Sequence, residues 1–312
     1  MESTNLAHVL DNAEEMSQYD AEIKNVLSNK YILAWIVSRT APEFSGMSIP
    51  DIIQCIEGEP LVSKVYVHPV RTNESIIGRD TQDKVPGEGE VRFDILFHAI
   101  APSGARVKLI LNIEAQKNFY PGYDLVTRGV YYGARLISSQ KDKEFTDSNY
   151  DDIKKVYSVW ICMNAPAYLQ NTITEYKMEQ HKLYGNYSKP ARYDLLRVIM
   201  ICLGSSKNMA HQDNGDQKLL RLLSVIADDQ MTAVDKLHIL DKEYDITTAN
   251  DLKGRVNDMC NWSEGIVERV SNRKDVSSVE NVMRGCNVSL ERACEILQIK
   301  PEAYHLAKSS II

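Results

Sequence analysis

Apolar and polar positions repeat along the chain with two periods, and the switch between them outlines its parts. In "YDAEIKNVLSNKYILAWIV", residues 19–37, Ile23, Val26, Leu27, Ile32 and Leu33 recur at mostly helical spacing, which predicts an amphipathic N-terminal helix. "SIPDIIQCIEG" offers Ser48 as an N-cap and Pro50 in the first turn, the start of a second, short helix. "SKVYVHPV", 63–70, is strand-like, and "RTNESIIGRDTQDKVPGEGE", 71–90, is polar and turn-rich, as an exposed loop would be. Two β-rich runs follow, 91–101 and 107–116, joined by "PSGA" in the manner of a hairpin. "YPGYDLVTRGVYYGARLISSQ" breaks at Pro121 and Gly122 and continues as a helix of about five turns. "KKVYSVWICMNA" is continuously apolar, the pattern of a strand covered on both faces, and "LLRVIMICLG" is a further strand.

The order strand, strand, helix, strand combines an antiparallel hairpin with a right-handed crossover and predicts a mixed sheet. From about Gln217 the pattern is helical: "QKLLRLLSVIADD", "TAVDKLHILDKEY", "LKGRVNDMCNWSEGIVERVSN", then three short helices in "SSVENVMRGCNVSLERACEILQIKPEAYHLAK". The expected organisation is an α/β core with N-terminal helices over 1–210 and a helical C-terminal region over 211–312. "SLERACEILQIKPEAYHLAK" has the outline of a helix-turn-helix. Its second helix carries only His305 and Lys308 as donors, which favours a packing or oligomerisation tail over a groove reader.

Composition changes this picture little. No apolar stretch is long enough to cross a bilayer, and the acidic, polar N-terminus lacks the features of a signal peptide, so a cytoplasmic protein with no membrane partner is expected. The six cysteines form no CxxC pair and read as reduced, structural thiols. A net charge of −7 disfavours a protein that coats nucleic acid by electrostatics alone, but not an enzyme with a local basic surface. No GxGxxG follows a strand, so no nucleotide cofactor is expected.

The candidate chemistry lies in "RFDILFHAIAPSGARVKLILNIEAQK", residues 92–117. Alternation puts Asn112, Glu114 and Gln116 on one face of the second strand, and Leu111, Ile113 and Ala115 on the other. If the register brings Asp94 near Glu114, two carboxylates converge at one end of the sheet. With the Ala115 carbonyl they offer hard oxygen ligands suited to Mg²⁺ or Mn²⁺. The plainer reading is that Asp94 and Glu114 pair with Arg92, Lys108 or Arg128. On the following helix Arg128, Tyr132 and Arg135, at i, i+4 and i+7, share a face, which either meets a phosphate or is a solvated helix surface with a core aromatic.

Asp94 followed twenty residues on by Glu114-Ala115-Gln116, on two adjacent strands ahead of a helix and a buried strand, resembles the core of the PD-(D/E)XK nuclease superfamily. More narrowly, "GEVRFDILF", "KLILNIEAQKNFYPGYDLVTRGVYYGARLIS" and "YDDIKKVYSVWICMNAP" resemble bacterial PD-(D/E)XK nuclease family transposases, close to the Rpn recombination-promoting nucleases. The resemblance covers about 20–270 and is densest from 90 to 166. It implies a restriction-endonuclease-like mixed sheet flanked by helices and a Mg²⁺-dependent DNA endonuclease, acting in transposition or recombination, with a homodimer possible. Asp94 and Glu114 would hold the metal with the Ala115 carbonyl, Gln116 and Lys117 would position water, and Arg128, Tyr132 and Arg135 would contact phosphate. Such sites are often completed by an acidic residue of an earlier helix, for which Glu57, Glu59 and Glu90 are candidates. Two departures stand out: Phe93 replaces the proline before Asp94, and Gln116 replaces the lysine, so an amide that can orient water stands where a cation is usual. The alternative is a catalytically inactive relative that binds nucleic acid or a protein.

Overall fold

The computed structural model describes residues 19–62, 82–85, 89–102, 107–116, 119–186, 189, 191–204, 215–246 and 250–310, with the backbone alone at 82–85, 89–92, 107–116, 250–251, 262–270, 273 and 310. The expected strand at 63–70, the first part of the expected loop and Lys117 lie outside the described residues.

A mixed sheet of six strands sits between two helical layers. Helix α1 (19–27) is followed by α2 (Lys30–Thr40) and α3 (Ile49–Cys55), the latter capped by Ser48, whose side chain accepts from the Asp51 amide. The strands are β1 (Ile56–Val62), β4 (Ile95–Ala101), β5 (Val107–Gln116), β6 (Val156–Cys162), β7 (Thr172–Lys177) and β8 (Leu196–Cys202), and a separate pair comprises β2 (Gln82–Val85) and β3 (Gly89–Arg92). In the large sheet the order is β1-β4-β5-β6-β8-β7. Each of the first three strands is antiparallel to its neighbour, β5, β6 and β8 run parallel, and β7 returns antiparallel on β8. Helix α4 (Leu125–Ser138) connects the parallel neighbours β5 and β6, as two strands of the same direction require.

Strand β6 shows why the sheet needs two covers. Every residue of "VYSVWIC" is buried. Tyr157, Val159 and Ile161 enter the larger core with α1, α2, α3 and the inward residues Ile95, Phe97 and Ala99 of β4. Trp160 and Cys162 face the opposite way, into a smaller core with Leu125, Val126 and Tyr132 of α4. Helices α5 (Gly215–Ala227), α6 (Ala233–Tyr244) and the first turns of α7 (Asn250–Cys286) also close on the larger core, so its interior runs across residue 210. A separate cluster joins the end of α7 to α8 (Leu290–Leu297) and α9 (Pro301–Ser310).

Several expected boundaries move. The polar run 71–90 supplies strand β2 and the start of β3, whose register sets Lys84 opposite Glu90 around "PGE". "CIEGEPLV" turns from helix to strand at Ile56, where Gly58 at φ +60° accompanies a register shift between Glu57 and Leu61. Helix α4 starts at Leu125 because the Asp124 carboxylate caps the Val126 and Thr127 amides, giving 14 residues instead of five turns. The long helix α7 absorbs the first of the three expected C-terminal short helices, since 271–286 contains no proline and its one glycine, Gly285, falls in the last turn.

Candidate metal and phosphate site

The expected strand 91–101 is broken at Phe93 and Asp94. In a continuous strand Phe93 and Ile95 would share a face. Instead Phe93, 2 % exposed, packs with Leu136 and Val156 and meets Tyr132 edge-on at 5.7 Å, whereas Ile95 enters the larger core on the other side. The bend between them turns Asp94 toward the N-terminal helix. There its Oδ1 lies 2.7 Å from the Lys24 ammonium, which also reaches Asp20 Oδ2 at 2.6 Å.

This trio was not anticipated in the sequence. Lys24 sits on α1 beside Ile23 and Leu27, both buried, and is itself 7 % exposed. Burial alone would lower its pKa, but the Asp94 and Asp20 carboxylates outweigh that and raise it, so the group is charged. Asp20 is the acidic residue of an earlier helix that meets Asp94 through a shared partner. Glu59 instead pairs with Lys30 at 3.1 Å with its side chain 86 % exposed, and Glu57 stands opposite His98, four residues along β4 from Asp94 and so about 13 Å away. Glu90 falls in β3, opposite Lys84.

Register places the other residues. Ile95 pairs with Ile113 as the last pair of that ladder, so Asp94, the residue before β4, and Glu114, two residues before the end of β5, come next along the two chains. Glu114 in turn pairs with Trp160, Ala115 with Ile161 and Gln116 with Cys162. Trp160 carries the phosphate candidate. The Arg128 guanidinium is centred 5.2 Å from the Trp160 ring, 4.7 Å from Tyr132 and 5.6 Å from Tyr123, and donates to the hydroxyls of Tyr123 at 2.7 Å and Tyr132 at 2.6 Å. An aromatic cage therefore fixes a planar cation over the strand next to Glu114. Arg135 shares the helical phase and is 4 % exposed. Tyr132 is half-buried, its hydroxyl already serving Arg128.

The carboxylates of Asp20 and Asp94 are hard donors of the kind that Mg²⁺ or Mn²⁺ takes, with the Lys24 ammonium now holding both, and among the described residues no three His, Cys, Asp or Glu side chains group as metal ligands. No known family model, curated protein or solved structure matches the chain.

Proposed function

We propose that the protein is a metal-dependent DNA endonuclease with a restriction-endonuclease-like core, hydrolysing phosphodiester bonds in the setting of transposition or recombination. The observation that carries this reading is the register: Asp94 immediately precedes β4 and Glu114 lies near the end of its antiparallel neighbour β5, and the next strand in the row, β6, bears Trp160, over which α4 holds the caged Arg128. The order of two antiparallel strands, helix α4 and the buried parallel strand β6 is the one the family resemblance implies, and it supports the reading.

In that reading Asp94 and Glu114, with the Ala115 carbonyl, hold the divalent cation, and Asp20 adds a carboxylate from α1. When bound, the cation lowers the pKa of a water and neutralises charge on a phosphoryl oxygen, a contribution of several kcal/mol. The Arg128 fork binds a phosphate oxygen and, fixed by Tyr123 and Tyr132, needs no reorganisation to do so. Gln116, the last residue of β5, and Lys117, which follows it in the sequence, would orient the water.

Cleavage of supercoiled plasmid and of single-stranded DNA in Mg²⁺, Mn²⁺ or EDTA tests this. Metal-dependent cutting by the native chain, lost in Asp94→Asn and Glu114→Ala, is expected. Full activity of Glu114→Ala would remove the site. A second reading, a non-catalytic binding module, draws on the Lys24 ion pair, which already neutralises Asp94 without metal. It predicts DNA or protein binding with no cutting under any condition.

A further inference from the structure

A cation already occupies the oxygens that a metal would need. Asp20 and Asp94 come from different elements, and both end on one nitrogen, at 2.6 and 2.7 Å. Their bound oxygens are therefore within about 5 Å of one another, and a Mg²⁺ holding both would draw them to about 4 Å. The Asp94 side chain is 18 % exposed, that of Asp20 25 % and that of Lys24 8 %, so solvent screens this trio weakly. A second buried lysine among the described residues shows what an interior ammonium does in a structural role: Lys236 donates to the Ile226 carbonyl at the end of α5. Lys24 instead joins two acids, one of which the register sets beside Glu114.

A site with several carboxylates and no counter-ion would repel itself in the metal-free chain, and one buried ammonium relieves that repulsion. A dication among the same oxygens would meet that ammonium at close range, in a poorly screened place where like charges repel strongly. The two cations exclude each other. We infer that Lys24 is the resident counter-ion of this site and that a divalent cation binds by displacing its ammonium from Asp20 and Asp94, so that this lysine sets how readily the site takes up metal. The inference rests on the reading of Asp94 as a metal ligand.

Calorimetric titration of the full chain with Mn²⁺, independent of any cleavage, tests it. Lys24→Met should bind Mn²⁺ at least about tenfold more tightly than the native chain, Lys24→Arg should stay near native, and Asp94→Asn should abolish binding in both the native and the Lys24→Met backgrounds. A native chain that takes no Mn²⁺ beside a Lys24→Met chain that does would support the inference in its strongest form. Affinity of Lys24→Met equal to or weaker than native overturns it, as does binding indifferent to Asp94→Asn. No Mn²⁺ uptake by any variant overturns both this inference and the metal reading, whereas the expected affinities without DNA cleavage leave it standing and remove only the nuclease. Should Lys24→Met not fold, acetylation of native lysines read by mass spectrometry reports the same exchange. Lys24 should resist acetylation in EDTA and gain reactivity in Mn²⁺, and equal reactivity in the two would overturn the inference.

Discussion

Arg128 does two jobs at the scale of the residue, and they can be separated. Its stacking and two hydroxyl hydrogen bonds hold α4 to Tyr123 and Trp160, and in the nuclease proposed above its charge meets a phosphate. Arg128→Lys keeps the charge but loses the planar fork. Binding of a single-stranded oligonucleotide in EDTA, read by fluorescence anisotropy, should weaken by about tenfold, or about 1.4 kcal/mol, with the melting temperature lowered only slightly. Unchanged binding would confine Arg128 to packing. Glu43 gives a second residue-level test, at the opposite ends of the parallel strands. It accepts from Lys155 at 2.8 Å and from the Tyr157 hydroxyl. Burial alone would raise its pKa, but those two hydrogen bonds hold it below the ordinary carboxylate value. Its stabilising effect is therefore complete above about pH 4.3 and is lost as pH falls through the lower folded value. Thermal melts of Glu43→Gln should show a shallower loss of stability on acidification than the native chain, and parallel acid limbs would contradict this. Of the site, the spacing from Asp94 to Glu114 and the phase of Arg128 were legible in the sequence because strand and helix periods fix faces. Lys24 was legible only in part. Its place between Ile23 and Leu27 put it within the apolar arc of α1, but its partner stands 70 residues on at a bend that no local pattern marks.

At the scale of the element, α4 sits close to the sheet because two of its residues have no side chain. A Cβ on Gly129 would stand 2.6 Å from Val198 Cγ1 and 2.9 Å from Trp160 Nε1; one on Gly133 would meet the Leu196 Cδ1 at 2.2 Å. Leu196 ends in a flexible tip that can turn away, whereas Val198 is β-branched and Trp160 is wedged beneath Arg128. Gly129→Ala should therefore destabilise by about 1–3 kcal/mol and shift the Arg128 cage, and Gly133→Ala should cost less. Urea melts of both variants check the order, and a Gly129→Ala chain as stable as native would mean that α4 can lift without loss. The same packing explains which elements the sequence revealed. Strands β4, β5, β6 and β8 lie inside the sheet and carry apolar runs. Strand β7 lies at one edge with Glu175, Tyr176 and Lys177 outward, and β1 at the other with "EGEP", compositions that protect an open edge and read as loop. The β2–β3 pair was hidden in the same way, within a mostly polar, glycine- and proline-bearing stretch of sequence.

For the whole molecule, α7 is the span that links two hydrophobic clusters. Its 37 residues rise about 55 Å, with Leu252, Val256, Met259 and Cys260 in the larger core and Val276 and Val279 packed with Ala293, Cys294, Tyr304 and Ala307 of α8 and α9. In that second cluster Lys308 donates to Glu280 at 2.8 Å and to the Tyr304 hydroxyl at 3.0 Å. One of the two donors that a groove-reading helix would use is thus engaged against α7, in keeping with a tail that packs. Ile296 and Leu306, 50 % and 73 % exposed, remain on its outer surface. A chain ending after residue 272 removes this cluster and keeps Asp20, Lys24, Asp94 and Arg128 together with Tyr123, Tyr132 and Trp160. Its main thermal transition and its Mn²⁺ affinity should match the full chain. Sedimentation would then locate the oligomer contact. A full chain that dimerises beside a truncated chain that stays monomeric assigns it to the C-terminal cluster, whereas equal dimerisation of both places it on the α/β core, and a truncated chain that melts much earlier would show that the core depends on the tail it was expected to hold only at a distance.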